Sequence, residues 1–337
     1  MTEVIVSVVM PIYNEEKYIK GCVESLLTQD YPKNQMEWIF IDGGSTDRTK
    51  EILAEYQEKY TELIRIYDNP HKTVPYAMNI GIAHSKGKYI VRLDAHAEYD
   101  KDYVSKCVYY LDTTDADNVG GVAETKSRGK MGQAIALMLS SKFGVGNSQF
   151  RTNGESGFVD TVPFGAFRRE VFSKYGGYDE RLTRNQDNEM NFRIRKNGGK
   201  IYLSQDIRLS YYCRDTVSGI TKMARTNGRW NVITMKLCPG SMGIRHFVPL
   251  ALVLSLMTLG IGSIFLPIAR WLLAVEIFMY VLMDVVFSLK QAKQPITFFR
   301  LLYLFPVFHI SYGLGSIVGL TSLFSNKYTK VYTAPKI

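Results

Sequence analysis

Cysteine is scarce in this chain, and it lacks both a dense basic block and an N-terminal export signal. The four cysteines, Cys22, Cys107, Cys213 and Cys238, are widely spaced. They form no C-x-x-C pair and no paired framework, so they read as structural thiols in a reducing compartment. The net charge of +9 admits a nucleic acid, a phosphorylated small molecule or an anionic bilayer as partner. With no basic block and no zinc-finger or RNP-like signature, nucleic acid is the poorest fit. Met1 to Val9 has no basic segment followed by a sufficient apolar stretch, which predicts no cleaved signal peptide. Most long charge-free stretches lie after Arg245. The 337 residues therefore read as a core domain with an attached apolar module.

The front half alternates between two periodicities. Apolar, β-branched runs at Val4 to Met10, Met36 to Ile41, Leu63 to Tyr67 and Lys88 to Leu93 predict strands. Helical patterns follow the first three, at about Glu16 to Thr28, Arg48 to Tyr60 and Val74 to His84. Ser45, Thr46 and Asp47 are N-cap candidates for the second helix. A further helix near Lys101 to Leu111 and a strand near Asn118 to Glu124 continue the pattern, and the fold can close by about Ser210. Such alternation predicts an α/β domain with a mainly parallel sheet and helices on both faces. Met131 to Phe150, rich in Met, Gly and Ser, reads as a mobile amphipathic helix and loop within it.

Three carboxylates stand out. Asp42 closes W-I-F-I-D-G-G-S-T-D, Asp94 opens D-A-H after Y-I-V-R-L, and Asp187 lies in N-Q-D-N-E-M-N-F-R-I-R. The first two end strands, where an open α/β sheet places its ligand-binding residues. Taken alone, Asp42 is equally a turn residue, His96 a loop histidine, and Asp187 an N-cap for a helix from Asn188 to Lys196.

Together, V-S-V-V-M-P-I-Y-N-E-E, D-G-G-S-T-D, N-I-G-I-A-H-S-K-G-K-Y-I-V-R-L-D-A-H and N-Q-D-N-E-M-N-F-R-I-R-K-N-G resemble the family 2 glycosyltransferases of GT-A fold. The D-A-H variant and the apolar tail are most like the succinoglycan-type exopolysaccharide glucosyltransferases. The resemblance implies a sugar nucleotide donor, a UDP-sugar, whose uridine meets Pro11, Tyr13, Glu15 and Asp42, with Lys72 and Asn79 reaching the nucleotide or its phosphates. It implies a divalent cation at Asp94. Here the usual D-x-D reads D-A-H, so His96 stands at the second carboxylate, a change that favours Mn²⁺ over Mg²⁺. Asp187 takes the place of the family's catalytic base, with Gln186 where an acid usually precedes it. Gly165 and Ala166 resemble the small-residue loop beneath the donor sugar. Arg229-Trp230 resembles the end of the Q-x-x-R-W motif of processive synthases, but Thr226 occupies the glutamine position, so transfer of one sugar per encounter is expected.

The apolar module begins after an interface segment. From Ile220 to Leu237, Lys222, Arg225, Arg229 and Lys236 alternate with apolar residues, which fits either a membrane-surface helix or a solvated helix face. Phe247 to Ala269 and Leu301 to Phe324 carry no Asp, Glu, Lys or Arg; Trp271 to Leu289 holds Glu276 and Asp284. Their lengths suit a hydrocarbon core of roughly 30 Å. The two acids should face protein or a wet cavity, or mark a re-entrant hairpin turning near Pro267 to Arg270. Lys290, Lys293 and Arg300 place the second connection, and the front domain, in the cytoplasm. The expected order is a catalytic domain over 1-215, an interface segment over 216-246, a membrane domain of two to three helices over 247-325 and a tail over 326-337. The expected activity is an inverting hexosyl transfer at the inner membrane onto a polyprenyl-diphosphate-linked saccharide, with other polysaccharide assembly enzymes as partners. Two alternatives stay open, a polyprenyl-phosphate sugar synthase and a catalytically inactive scaffold.

Overall fold

The computed structural model describes residues 3–152 and 154–324; the expected tail lies outside them. The chain forms two compact units, one from residues 3–124 and 154–211, the other from residues 125–152 and 212–324.

In the first unit, β1 (Val6–Ile12), α1 (Ile19–Leu27), β2 (Met36–Asp42), α2 (Thr49–Lys59), β3 (Ile64–Asp68), α3 (Val74–His84) and β4 (Tyr89–Arg92) follow the predicted alternation. β1 lies parallel to both β2 and β4, and β2 parallel to β3, with Ile12 beside Asp42 and Asp42 beside Asp68. β1 and β2 are buried almost throughout because helices cover both faces of this half-sheet, which explains their unbroken apolar runs. Then the direction changes. After β5 (Ala97–Tyr99) and α4 (Tyr103–Thr113) come β6 (Asn118–Lys126), β7 (Gly157–Phe158), β8 (Ala166–Arg168), α7 (Glu170–Tyr175), α8 (Gln186–Lys196) and β9 (Ile201–Tyr212). The sheet order is β3-β2-β1-β4-β8-β6-β9-β5, with β7 on β9. β8 runs antiparallel to β4 and β6, and β5 and β7 run antiparallel to β9. The sheet is therefore parallel on one side of β4 and largely antiparallel on the other. β5, β7 and β8 have three residues or fewer, too short for periodicity to reveal.

The second unit contains α5 (Gly129–Leu139), α6 (Lys142–Val145), α9 (Val217–Leu237), α10 (Val248–Phe265), α11 (Pro267–Gln291) and α12 (Pro295–Thr321). Met131 to Phe150, expected as a mobile amphipathic helix and loop of the catalytic domain, instead lies within residues 125–152 of this unit and contributes to α5 and α6. The reason is burial: Ile135, Met138 and Leu139 on α5 are removed from solvent, and α5 packs on α12.

α10, α11 and α12 are each long and apolar enough to cross a membrane. Only Leu266 separates α10 from α11, which forces a hairpin at the position expected for a turn. Arg270 closes it by donating to the Ser263 carbonyl (2.7 Å). Both acids of α11 face protein: Glu276 accepts from Ser255 (2.8 Å), and buried Asp284 accepts from Ser288 (3.1 Å). α12 differs from the other two. Half of its apolar stretch (50%) is buried within the unit, against 6% and 11% for α10 and α11. Its chief partner is α9, and glycines set the approach. A methyl group at Gly228 would strike the Tyr312 carbonyl, and one at Gly315 the Arg225 carbonyl. α9 buries Ile220, Ala224, Gly228 and Val232, while Lys222, Arg225 and Arg229 stay exposed.

Candidate active site

The candidate site lies at the C-terminal ends of β1, β2 and β4. Two strand-end loops are sewn together there. Asn14, in the left-handed region at φ 54°, donates its N–H to Ser45 Oγ (2.9 Å), and its side-chain oxygen accepts from Thr46 N (2.8 Å). Glu15 N donates to Thr49 Oγ1 (2.7 Å) and Glu16 N to Asp47 Oδ2 (3.1 Å). Thus the predicted caps of α2 have other tasks. Ser45 turns back to Asp42 (2.6 Å), Thr46 serves Asn14, and Asp47 alone approaches a cap, accepting from Thr49 N (3.1 Å). Burial of Asp47 pushes its pKa upward, but the hydrogen bonds from Thr49 and Glu16 outweigh this and hold it below the ordinary 3.8.

Asp42 is 1% exposed. Its carboxylate accepts from Gly44 N (3.0 Å) and Ser45 Oγ, and it pairs with Lys50 Nζ at 3.0 Å. In this state it organises the turn, while the surface beside it is offered by Tyr13 and Lys72. Gly43 sits against the Tyr13 ring and the Lys72 backbone, at van der Waals distance from both. Tyr13 is 47% exposed and Lys72 takes φ 62°. Pro11, Tyr13, Asp42 and Lys72 are therefore neighbours at one strand end. Asn79 is not among them. Its amide donates to the Tyr178 carbonyl (3.0 Å) and Glu180 (2.9 Å) and accepts from Tyr178 N (2.8 Å), so it staples α3 to the segment after α7.

Asp94, two residues beyond β4, has its backbone clamped by the buried Tyr99 hydroxyl, which accepts from Asp94 N (2.8 Å) and donates to Asp94 O (3.1 Å). His96 Nδ1 lies 3.3 Å from Glu15 Oε1, and its ring meets Tyr211 edge-on at 5.2 Å. Among the described residues no three His, Cys, Asp or Glu side chains form a metal cage. Asp94 and His96 remain partly exposed, at 20% and 30%. This sparse oxygen and nitrogen set fits a cation that completes its shell with phosphate oxygens and water.

Asp187 lies in the first turn of α8, which starts at Gln186; the preceding Asn185 adopts φ 63° and makes no side-chain cap. The N-cap alternative for Asp187 is thereby replaced by an in-helix position at the positive end of the helix dipole. What holds its side chain is Arg92, which sequence reading passed over. Arg92 is 4% exposed at the end of β4. It is ion-paired to Asp187 and lies 3.4 Å from Asp94 Oδ1. Its Nε is buried with no acceptor among the described residues. Arg92 N also donates to Gly165 O (3.0 Å), which places Gly165 and Ala166 beside the same group. The signal was available: Arg92 is the one charge within Y-I-V-R-L, and an unpaired charge is not buried in a central strand. Nearby Tyr178 is fully buried, and that burial pushes its hydroxyl up to about 12. Gln186 is buried beside Asp187. Arg229 and Trp230 belong to α9 in the second unit.

Comparison with known proteins bears on the family and the fold. Residues 7–176 match the family model described as glycosyl transferase family 2. A dolichyl N-acetyl-α-D-glucosaminyl phosphate 3-β-D-2,3-diacetamido-2,3-dideoxy-β-D-glucuronosyltransferase of Methanococcus voltae is 29% identical over 91% of this chain and 95% of its own length. The succinoglycan biosynthesis protein ExoA of Rhizobium meliloti is 28% identical over 80% of each chain. Among solved structures, a mannosyltransferase from Pyrobaculum calidifontis in complex with GDP-Man and Mn²⁺ superposes with TM-score 0.66 at 18% identity, covering 95% of this chain and 88% of that one. The fold is GT-A, as the motifs implied. With the family model spanning half of its length, and with strand-end carboxylates and a helix-borne aspartate joined by one arginine, the chain belongs to glycosyl transferase family 2.

Proposed function

We propose that the protein is a membrane-bound, inverting transferase that moves a hexosyl group from a UDP-sugar to a saccharide carried on a polyprenyl diphosphate. The observation that carries this reading is the Asp94–Arg92–Asp187 linkage at the end of β4. The donor's nucleoside lies against Tyr13, Asp42 and Lys72, and its diphosphate faces Asp94 and His96. Asp94 and His96 would hold a divalent cation, Mn²⁺ in preference to Mg²⁺, that neutralises charge on the leaving diphosphate. Asp187 accepts the proton of the acceptor hydroxyl as its oxygen bonds to the anomeric carbon. The bond from that carbon to the diphosphate oxygen breaks on the opposite side, so the configuration inverts and the electron pair leaves on UDP. No second protein acid is required, unlike hydrolysis of a glycoside.

Support for a lipid-borne acceptor comes from two sides. Three helices have membrane-spanning length and composition, and the Methanococcus relative is described as acting on a dolichyl sugar phosphate. A lipid-linked sugar and a membrane-held enzyme share one thin layer, which raises their effective concentration. The basic connection at Lys290, Lys293 and Arg300 supports a cytoplasmic catalytic face.

The test supplies purified full-length protein with UDP-sugars and either extracted lipid-linked saccharide or the same saccharide freed from lipid. Transfer confined to the lipid form, with UDP released, is expected. Equal transfer to the free saccharide would remove the lipid from the reading, and no UDP release from any donor would favour an inactive scaffold.

A further inference from the structure

Within the second unit, α12 is exposed in a different way from α10 and α11. α10 buries only Val253, and α11 only Ala269, Asp284 and Ser288, so both are open nearly all round. α12 instead exposes a stripe of Ile296, Phe299, Tyr303, Ile310, Leu314 and Val318. Helical spacing puts these six on one side. Its other side is covered by helices that carry charge.

The contacts set those charges at successive levels along α12. Arg300 donates to the carbonyl of Lys130 on α5 (3.2 Å). The ring of Phe143, next to exposed Lys142, has its centroid 4.9 Å from those of Phe305 and His309. Farther along, a methyl group at Gly315 would strike the Arg225 carbonyl and one at Gly319 the Arg229 carbonyl, and Lys236 Nζ donates to Leu323 O (2.6 Å). α9 and α12 therefore run parallel and share one depth. At a rise of 1.5 Å per residue, the widest charge-free interval, from His309 to Gly315, is about 9 Å. A crossing needs a sleeve of roughly 30 Å, and charged side chains within it are costly. Composition alone hides this, because the charges belong to α5, α6 and α9.

We infer that α12 does not cross the bilayer but lies with α9 in the headgroup region of one leaflet, its apolar stripe toward the acyl chains and Lys222, Arg225 and Arg229 at the phosphates of anionic lipids. The inference rests on the membrane-bound reading given above. Two observations select the occupant. α10 and α11 of the same unit have the length, apolarity and all-round exposure of membrane helices. α9 contains no aspartate or glutamate, and its three cations are exposed, which matches an anionic lipid surface. Two crossings, by α10 and α11, then return the chain to the side on which α9 begins.

The test uses the full chain in nanodiscs of phosphatidylcholine and phosphatidylglycerol, with Cys238→Ser as background because the other cysteines are buried. Bimane is attached at Phe299→Cys, Ile310→Cys or Val318→Cys on the stripe of α12, and at Phe278→Cys on exposed α11. Lipids with a nitroxide near the headgroup or near the acyl terminus report depth. All three α12 positions should be quenched best by the shallow nitroxide, at ratios within about twofold of one another, and Phe278→Cys by the deep one. In a crossing helix Ile310→Cys would lie among the acyl termini, so deep quenching there would overturn the proposal while leaving the membrane reading intact. Shallow quenching or none at Phe278→Cys would instead remove the membrane reading, and the proposal with it. Native mass spectrometry of the protein released from the same nanodiscs tests the headgroup contact. Phosphatidylglycerol should be retained over phosphatidylcholine, and Lys222→Gln or Arg225→Gln should lower that preference roughly fivefold, with the thermal midpoint unchanged. Undiminished preference in both variants would overturn the contact.

Discussion

The guanidinium of Arg92, at the last residue of β4, is ion-paired to the carboxylate of Asp187 in the first turn of α8, and the same guanidinium reaches Asp94. One strand residue therefore links the carboxylates of Asp94 and Asp187. Surface pairs contribute about 0–1 kcal/mol, but removing one partner of a buried pair costs about 3–5 kcal/mol. With Arg92 4% and Asp187 33% exposed, this pair lies between those limits.

Arg92→Gln should lower kcat about 100-fold while KM for the donor changes much less, because the carboxylates lose their common anchor but the nucleoside pocket is intact. Arg92→Lys should recover part of kcat, since a point charge cannot span both acids as the guanidinium fork does. Steady-state kinetics of both variants decide this; a loss confined to KM would make Arg92 a donor-binding residue.

Asp187→Asn should reduce turnover by about 10²- to 10⁴-fold, the range of general-base assistance, while UDP-sugar binding stays near wild type. The amide keeps the shape but cannot take the proton. Calorimetric donor titration alongside single-turnover transfer would check this, and near-normal turnover would remove Asp187 from the base role.

Asp94→Ala should lose metal-dependent UDP binding. In His96→Asp, the activity ratio should move from Mn²⁺ toward Mg²⁺, because a hard oxygen replaces an imidazole nitrogen. The readout is initial rate across a series of both ions. A constant ratio would leave His96 as a loop residue paired with Glu15.

Asp47 supplies a pH prediction. Its folded pKa is depressed below 3.8, so its ionised form stabilises the stitched loops above that value, and the contribution fades as pH falls through the folded pKa. Asp47→Asn should therefore melt a few degrees lower at neutral pH. The deficit should close in acid. Melting curves across pH measure it, and a deficit that grows on acidification would contradict the assignment.

Much of this was legible along the chain. β1 to β4, the helices between them, Asp42 and Asp94 at strand ends, and three apolar helices each follow from local period, length and turn chemistry. Asn79 shows the limit. Its place on α3 was evident, but whether its amide faced a ligand or Tyr178 depended on a segment about 99 positions later.

The sequence by itself determined which segments are strands or helices, which carboxylates end strands, and which helices are too apolar for water, because backbone sterics and hydrophobic period act over a few residues. The tertiary structure alone decided that Arg92 joins Asp94 to Asp187, that α5 packs with α12, and that α12, with α9 as its chief partner, has half of its apolar stretch buried. Those outcomes are choices of partner. A buried charge must find a counter-charge and an apolar face must find another, and the composition of a segment states that need without stating which distant segment meets it.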